Sequence, residues 1–189
     1  YSDKLDNQAK DYISRIRRAT EIMSELIDDM LKLSRITRTE IDKADINLSN
    51  IALTVVDELR KAHPDRFVNV TIADSLIDYA DSRLIKIVLE NLLGNAWKFT
   101  GKKTGAEIEF GVTNKGGKKA YFVRDNGAGF DMDYVDKLFA PFQRLHNIDE
   151  FPGTGIGLAT IRRIIIRHGG IVWAEGAQDK GATFYFTLQ

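Results

Sequence analysis

Asn91-Leu-Leu-Gly-Asn95-Ala-Trp-Lys98-Phe-Thr100 ends a segment, 81–99, whose apolar residues recur with the period of an α-helix. Asn91, Asn95 and Lys98 are four and three residues apart, so they share the helix face that lies opposite the apolar one. Carboxamide oxygens suit Mg²⁺, and a lysine one turn further on can meet phosphate oxygens. The stretch predicts a polar face that looks into a cleft, whereas two asparagines taken alone more often indicate a solvated surface.

The signals around this helix predict helices in one layer and mostly antiparallel strands in the other, an α+β two-layer sandwich. A preceding helix is expected from residue 51 to His63-Pro64, because proline ends helices. Short helices are expected at 135–139 and 156–168. Strands are expected at 67–72, 106–113, 119–124, 171–175 and 183–188, with a turn at 114–117.

Asp125-Asn-Gly127-Ala-Gly129 follows directly after a predicted strand. An aspartate at a strand end can accept a hydrogen bond from an exocyclic amine such as that of adenine. The two glycines allow the backbone to turn tightly and to approach a planar ligand. A simple Asp-Asn-Gly turn is the alternative interpretation.

Gly153-Thr-Gly155-Ile-Gly157 runs straight into a predicted helix. Exposed N–H groups at a helix start attract phosphate, and glycine removes side-chain obstruction. The pattern differs from a P-loop because no Lys-Ser/Thr pair follows, and it lacks the strand–turn–helix context of a dinucleotide fingerprint. Alone, such a loop is weak evidence.

Two phenylalanines, Phe139 and Phe142, flank a proline just before a polar stretch that contains Arg144 and His146. This arrangement predicts an anchor for a mobile loop, although ordinary core contacts explain the aromatic residues equally well. Arg144 can reach phosphate, whereas an exposed arginine is usually only solvated.

The N-terminal segment predicts one long helix with a heptad seam over about three heptads. Additional isoleucines widen the apolar face, which favours a dimeric four-helix bundle. We place the boundary of this partial dimerisation unit at residue 40 and assign 41–189 to a second domain. The seam comprises Tyr12, Ile16, Ala19, Met23, Leu26, Met30 and Leu33.

Composition excludes several classes of protein. Lys+Arg and Asp+Glu both number 27, so the chain has no basic excess of the kind that nucleic-acid binding requires. No run of eighteen apolar residues predicts a membrane span, so we expect no direct membrane contact in this fragment. The absence of cysteine excludes disulfides and fits a cytoplasmic location, although a membrane-anchored parent protein stays open.

In their order along the chain, the four clusters resemble the N, G1, F and G2 boxes of the GHKL nucleotide-binding fold. Gly181-Ala-Thr183-Phe resembles its final strand motif, and the resemblance covers roughly residues 47–189. The preceding segment resembles the second helix of a histidine-kinase dimerisation bundle. Residues 142–146, Phe-Gln-Arg-Leu-His, are most similar to kinases of the phytochrome-related class.

This resemblance implies ATP and Mg²⁺ as cofactors. Asn95 would be the Mg²⁺ ligand, with Asn91 as the second candidate, while Lys98 and Arg144 would contact phosphate. It also assigns the adenine amine to Asp125. The other implied ATP-binding residues shape the cleft and its lid or, for Thr183, lie near adenine: Gly127, Gly129, Phe142, His146, Gly153, Thr154, Gly155, Ile156, Gly157, Leu158 and Thr183.

Asn91 distinguishes a kinase from a hydrolytic ATPase of the same fold, because those ATPases carry glutamate at this position. An amide cannot take a proton from water. Glu90 is adjacent, but one residue rotates it by about 100° around the helix. The sequence therefore predicts a protein histidine kinase that transfers the ATP γ-phosphate to a histidine, for relay to a response-regulator receiver domain.

No acceptor histidine is recognisable, since His63, His146 and His168 all lie outside a His-Glu or His-Asp context. We expect the acceptor on a first bundle helix that precedes Tyr1. The alternatives are a hydrolytic GHKL ATPase, an anti-sigma-type serine kinase and a non-catalytic dimerising scaffold. The long seam argues against the serine kinase, and the intact boxes argue against the scaffold. No pattern in the sequence identifies the sensed signal or the cognate regulator.

Overall fold

The computed structural model describes residues 5–143, 150–151 and 153–189. Four α-helices lie in these ranges: α1 (Asn7–Arg38), α2 (Leu48–Ala62), α3 (Ser82–Phe99) and α4 (Gly157–Arg167). The strands are β1 (Ala44–Asn47), β2 (Asn69–Ile72), β3 (Ile77–Ala80), β4 (Glu107–Lys115), β5 (Lys118–Asp125), β6 (Val172–Ala177) and β7 (Gly181–Phe186). A 3₁₀ helix at Met132–Lys137 replaces the short α-helix predicted at 135–139.

Five strands form the main sheet in the order β2-β4-β5-β7-β6. The β2–β4 pair is parallel and the other pairs are antiparallel. Together with the helices, this sheet confirms the predicted α+β sandwich preceded by a long helix. Strands β1 and β3 form a separate antiparallel pair that the sequence analysis missed, because each spans only four residues and contains an aspartate.

Helix α3 begins and packs as its local sequence dictates. Asp81 caps it by accepting hydrogen bonds from the backbone N–H groups of Arg83 and Leu84. Its apolar positions are buried: Leu84, Ile85, Val88, Leu89, Leu92, Leu93, Ala96 and Trp97. Because this face is committed to the core, the opposite face that carries the polar residues points away from the core.

Buried His168 connects the end of α4 to the start of α3. Its Nε2 atom lies 3.1 Å from the Asp81 backbone N–H, which donates to it, and its Nδ1 lies 2.9 Å from the Ile164 carbonyl oxygen. The imidazole must therefore be neutral, with the proton on Nδ1. Burial also lowers the pKa of His168. This histidine has a structural role.

Helix α1 packs on the domain through its C-terminal half. Ile36 is buried, and the Arg167 guanidinium on α4 donates hydrogen bonds to the carbonyl oxygens of Ile36 and Thr39. The partly buried residues at the preceding heptad positions, Ile22, Leu26, Asp29 and Leu33, share the face of Ile36. We call these five residues the inner stripe of α1.

The predicted seam is therefore wrong in part, because Leu26 and Leu33 belong to the inner stripe. Its remaining large residues, together with neighbouring apolar side chains, are at least half exposed: Tyr12, Ile13, Ile16, Met23, Ile27, Met30 and Leu31. We call this set the outer stripe. None of the helices in the described ranges has the length and hydrophobicity that a membrane span requires.

Candidate functional site

A cavity of about 250 Å³ lies where α3, the end of β5 and the loop before α4 meet. Ten of the predicted site residues line it, and Leu138 and Gln143 of the segment around Phe139 and Phe142 line it too, so all four sequence clusters meet at one place. The ten predicted residues are Asn91, Asn95, Lys98, Asp125, Gly129, Gly153, Thr154, Gly155, Gly157 and Leu158. The polar face of α3 therefore looks into a cleft, as its spacing predicts.

The Asn91 side chain is fixed at both ends of its amide group. Its Nδ2 donates to the Ile87 carbonyl oxygen at 2.8 Å, one turn earlier in α3. Its Oδ1 lies so close to Gly157 that a Cβ atom there would come within 2.4 Å of it. A side chain at 157 would displace the Asn91 amide oxygen, so glycine at this position keeps that oxygen where it is.

Asp125 ends β5 and is 6% exposed. Its Oδ1 accepts a hydrogen bond from the Gly127 N–H at 2.8 Å, and its carboxylate also accepts one from the Ala182 backbone. Burial nevertheless raises the pKa of Asp125 to about 6. A buried carboxylate that lines a cavity is suited to bind a hydrogen-bond donor of a ligand.

Glycine is required at two turns of the cavity wall. Gly129 has φ +62°, and a Cβ atom there would lie 1.9 Å from the Ala177 carbonyl oxygen. Gly155 has φ +76°, and its carbonyl oxygen accepts a hydrogen bond from the Phe142 N–H at 3.1 Å. The second contact joins the glycine loop to the segment that follows the 3₁₀ helix.

Thr183 lies away from the cavity, contrary to the prediction. Strand β7 pairs Ala182 with Asp125, and residues alternate between the two faces of a strand. Ala182 and Phe184 therefore face the cavity, while Thr183 faces the other side of the sheet. The cavity is thus lined by Ala182, one residue before the predicted Thr183.

Three other predicted residues also lie outside the cavity lining. Gly127 donates its backbone N–H to the Asp125 carboxylate, and Ile156 is buried in the core. Phe142 is 55% exposed, so only Phe139, which packs edge-on against Phe184, anchors this segment as predicted. The predictions for Arg144 and His146 fall outside the described residues.

The structure adds residues that sequence analysis missed. Phe151 is almost fully buried and packs on Phe99, with ring centroids 4.9 Å apart, and both line the cavity. Asp29 reaches the cavity from α1. Phe151 is an isolated aromatic residue within a polar stretch, and Asp29 is one of many charges on its helix, so neither carries a pattern that would reveal it.

The profile of the histidine kinase-, DNA gyrase B- and HSP90-like ATPase family matches residues 80–189, more than half of the chain. The chain belongs to this family. The matched range begins at the end of β3 and contains α3, the Asp125 loop and the glycine loop. The three elements that meet at the cavity thus all lie within the range that the family profile matches.

Similar proteins include Cyanobacterial phytochrome A of a Nostoc species, 35% identical over all of this chain and 24% of that protein. The catalytic domain of the histidine kinase ThkA is 27% identical, with a TM-score of 0.63 over 77% of this chain and 95% of that one. Full-length ShkA, solved with AMPPNP, shares the fold, with a TM-score of 0.69 at 24% identity over 97% of this chain and 39% of that one. The chain spans about a quarter of the length of the curated phytochrome relatives that it matches.

Proposed function

We propose that this chain is the ATP-binding catalytic part of a two-component sensor histidine kinase. The observation that carries the proposal is the orientation of α3. Asn91 faces the cavity, whereas the Glu90 carboxylate lies outside the lining and 3.6 Å from the Lys86 ammonium. Because α3 presents an amide and no carboxylate to the cavity, it supplies no base to activate water, and the site favours holding ATP for transfer to a protein nucleophile.

Different residues of the cavity bind different parts of the nucleotide. Asp125 binds the adenine amine, and the N–H groups at the start of α4 bind phosphate together with Lys98. The amide oxygens of Asn95 and Asn91 suit Mg²⁺, which is a hard cation, and both residues line the cavity. When bound, the metal would neutralise triphosphate charge and orient the γ-phosphate.

Neither of the two histidines that the structure describes is placed to accept phosphate. His168 is buried with both ring nitrogens engaged. His63 ends α2, where its Nδ1 contacts the Leu59 carbonyl oxygen, and it does not line the cavity. We therefore place the acceptor histidine on a bundle helix outside residues 1–189, with a response-regulator receiver domain as the subsequent partner.

Incubation with γ-labelled Mg-ATP tests the kinase assignment. We expect ATP to bind with micromolar to millimolar affinity, with little release of free phosphate and no label on the chain. Addition of a dimerisation fragment that carries an acceptor histidine should then yield a labelled fragment. Multiple-turnover phosphate release by the chain alone would instead identify a hydrolytic ATPase.

We further propose that the outer stripe of α1 packs in a homodimeric four-helix bundle to which each protomer adds a second helix from outside residues 1–189, since its half-exposed apolar side chains need cover. An Ile27→Glu substitution should convert dimer to monomer in light scattering and leave ATP affinity unchanged. Ser24→Glu places the same charge at an exposed polar position and should preserve the dimer. In a chain extended by the second bundle helix, a monomer at high micromolar concentration would contradict the proposal.

A further inference from the structure

One wall of the cavity comes from outside the 80–189 family match. Asp29 of α1 lines the cavity, and the Thr154 Oγ1 donates a 2.6 Å hydrogen bond to the Asp29 Oδ2. Thr154 lies in the glycine loop, where its Oγ1 also accepts from the Ile156 N–H at 3.4 Å. The helix is thus tied directly to the loop that starts α4.

Asp29 is the charged member of an otherwise apolar stripe. The other inner-stripe residues are Ile22, Leu26, Leu33 and Ile36, and Asp29 occupies the heptad position between Leu26 and Leu33. Its side chain is 32% exposed and accompanied by Lys32, whose Nζ lies 3.6 Å from Oδ1. A polar residue in an apolar packing stripe weakens the packing of the helix. That packing then depends on whether the polar residue keeps its hydrogen-bond partner.

A second attachment lies further along the same helix. Arg167 holds the carbonyl oxygens of Ile36 and Thr39, about two turns beyond Asp29. Arg167 is the last residue of α4, so this attachment lies at the opposite end of α4 from the glycine loop. Loss of the Asp29 contact would therefore free α1 at the cavity while its C-terminal end stays attached.

We propose that the Asp29–Thr154 contact is a latch that nucleotide phosphates open. This inference rests on the proposed function, since it needs phosphates at the glycine loop. A carboxylate beside bound phosphates is repelled, and the repulsion acts in a partly buried site where solvent screens it poorly. Phosphate binding and the α1–loop contact therefore oppose each other, and by linkage each weakens the other by the same factor.

The first test compares nucleotide affinities by calorimetry. Asp29→Asn should bind Mg-ATP about three- to tenfold more tightly than the wild-type chain. Its affinity for adenosine, which lacks phosphates, should be unchanged. Asp28→Asn removes the same charge from an exposed neighbouring position and should leave both affinities at wild-type values.

The outcomes separate the latch from other roles of Asp29. Equal effects of Asp28→Asn and Asp29→Asn on ATP would overturn the latch in favour of a general charge effect. Weaker ATP binding by Asp29→Asn only in the presence of Mg²⁺ would overturn it in favour of a metal ligand. If the wild-type chain binds neither ATP nor adenosine, the proposed function itself fails.

The second test follows α1 directly. Since the chain has no cysteine, Glu25→Cys on α1 and Arg162→Cys on α4 give two exposed spin-label positions without background. Dilution with unlabelled chain restricts electron–electron distances to one protomer. A non-hydrolysable ATP analogue should broaden and lengthen the distance distribution, and Asp29→Ala, which removes the acceptor of the Thr154 hydrogen bond, should do so without nucleotide. An unchanged distribution in both cases would overturn the proposal.

Discussion

Asp125→Asn is expected to abolish measurable ATP binding and at the same time to raise the free energy of unfolding at pH 7. The carboxylate is placed to accept a hydrogen bond from the adenine amine. An asparagine amide has one acceptor oxygen, so if that oxygen turns toward the amine, it cannot also accept from both the Gly127 and the Ala182 backbone N–H groups. Loss of a charge-assisted hydrogen bond in a buried site costs about 2–4 kcal/mol of binding, or roughly 30- to 1,000-fold in affinity.

The gain in stability follows from the same burial. The pKa of Asp125 is about 6 in the folded chain, compared with an ordinary value of 3.8. The folded state therefore bears the cost of an unfavourable buried charge above pH 6, and Asp125→Asn removes it. Linkage predicts a gain of about 1–3 kcal/mol at pH 7.

The pH dependence of stability tests the sign of this predicted gain. Because the folded-state pKa is raised, protonation stabilises the folded wild-type chain as pH falls through about 6 toward 3.8. The stability difference between Asp125→Asn and the wild-type chain should therefore shrink over that range. Wild-type affinity for adenosine should also fall below pH 6, where the carboxylate loses its charge.

Urea denaturation at pH 7 and pH 4.5 measures the stability difference, and calorimetry with adenosine and Mg-ATP measures binding. Asp136→Asn, at an exposed position of the 3₁₀ helix, is the control for net charge and should change neither quantity. Retention of ATP affinity by Asp125→Asn would contradict the adenine assignment. A loss of stability at pH 7 would contradict the buried charge.

Gly129→Ala is expected to destabilise the chain by more than about 4 kcal/mol or to prevent folding, and to eliminate nucleotide binding. The added Cβ would lie 1.9 Å from the Ala177 carbonyl oxygen and 2.8 Å from that of Gly181. Both obstacles are backbone atoms of β6 and β7, which cannot move without breaking the sheet. The positive φ adds about 1 kcal/mol of strain.

Gly105→Ala is the matched control. Gly105 has φ +73°, close to the +62° of Gly129, but no atom lies within 4 Å of an added Cβ. This substitution should cost only about 1 kcal/mol of strain and leave ATP binding intact. The difference between the two midpoints in urea isolates the steric effect. Equal midpoints would show that Gly129 matters only for its backbone conformation.

The limits of α3 and its polar face could be predicted from sequence because their causes are local. Asp81 caps the helix with its own side chain, and the 3.6-residue period alone assigns Asn91, Asn95 and Lys98 to one face. The hairpin of β4 and β5 was also predictable. Its turn is Gly116-Gly117 with positive φ at both residues, two residues shorter than the predicted turn.

The errors concern relations between distant segments. Strands β1 and β3 exist because they pair with each other, a contact that neither four-residue segment signals. The choice between Ala182 and Thr183 depends on which face of β7 looks toward the helices, and pairing with β5 sets this. Leu26 and Leu33 do not belong to an exposed seam because they share the face of α1 whose residues Asp29 and Ile36 contact Thr154 and Arg167, which heptad spacing alone cannot show.

The sequence by itself therefore determined the family, the order of the helices and of the five main-sheet strands, and ten of the residues that line the cavity, because periodicity, caps and glycine spacing act within a few residues. Only the tertiary structure decided that Phe151 packs on Phe99 and that Asp29 bonds to Thr154. The last contact joins residues 125 positions apart. Such contacts follow from the packing of whole elements, and packing is the outcome of the complete fold rather than of any one segment.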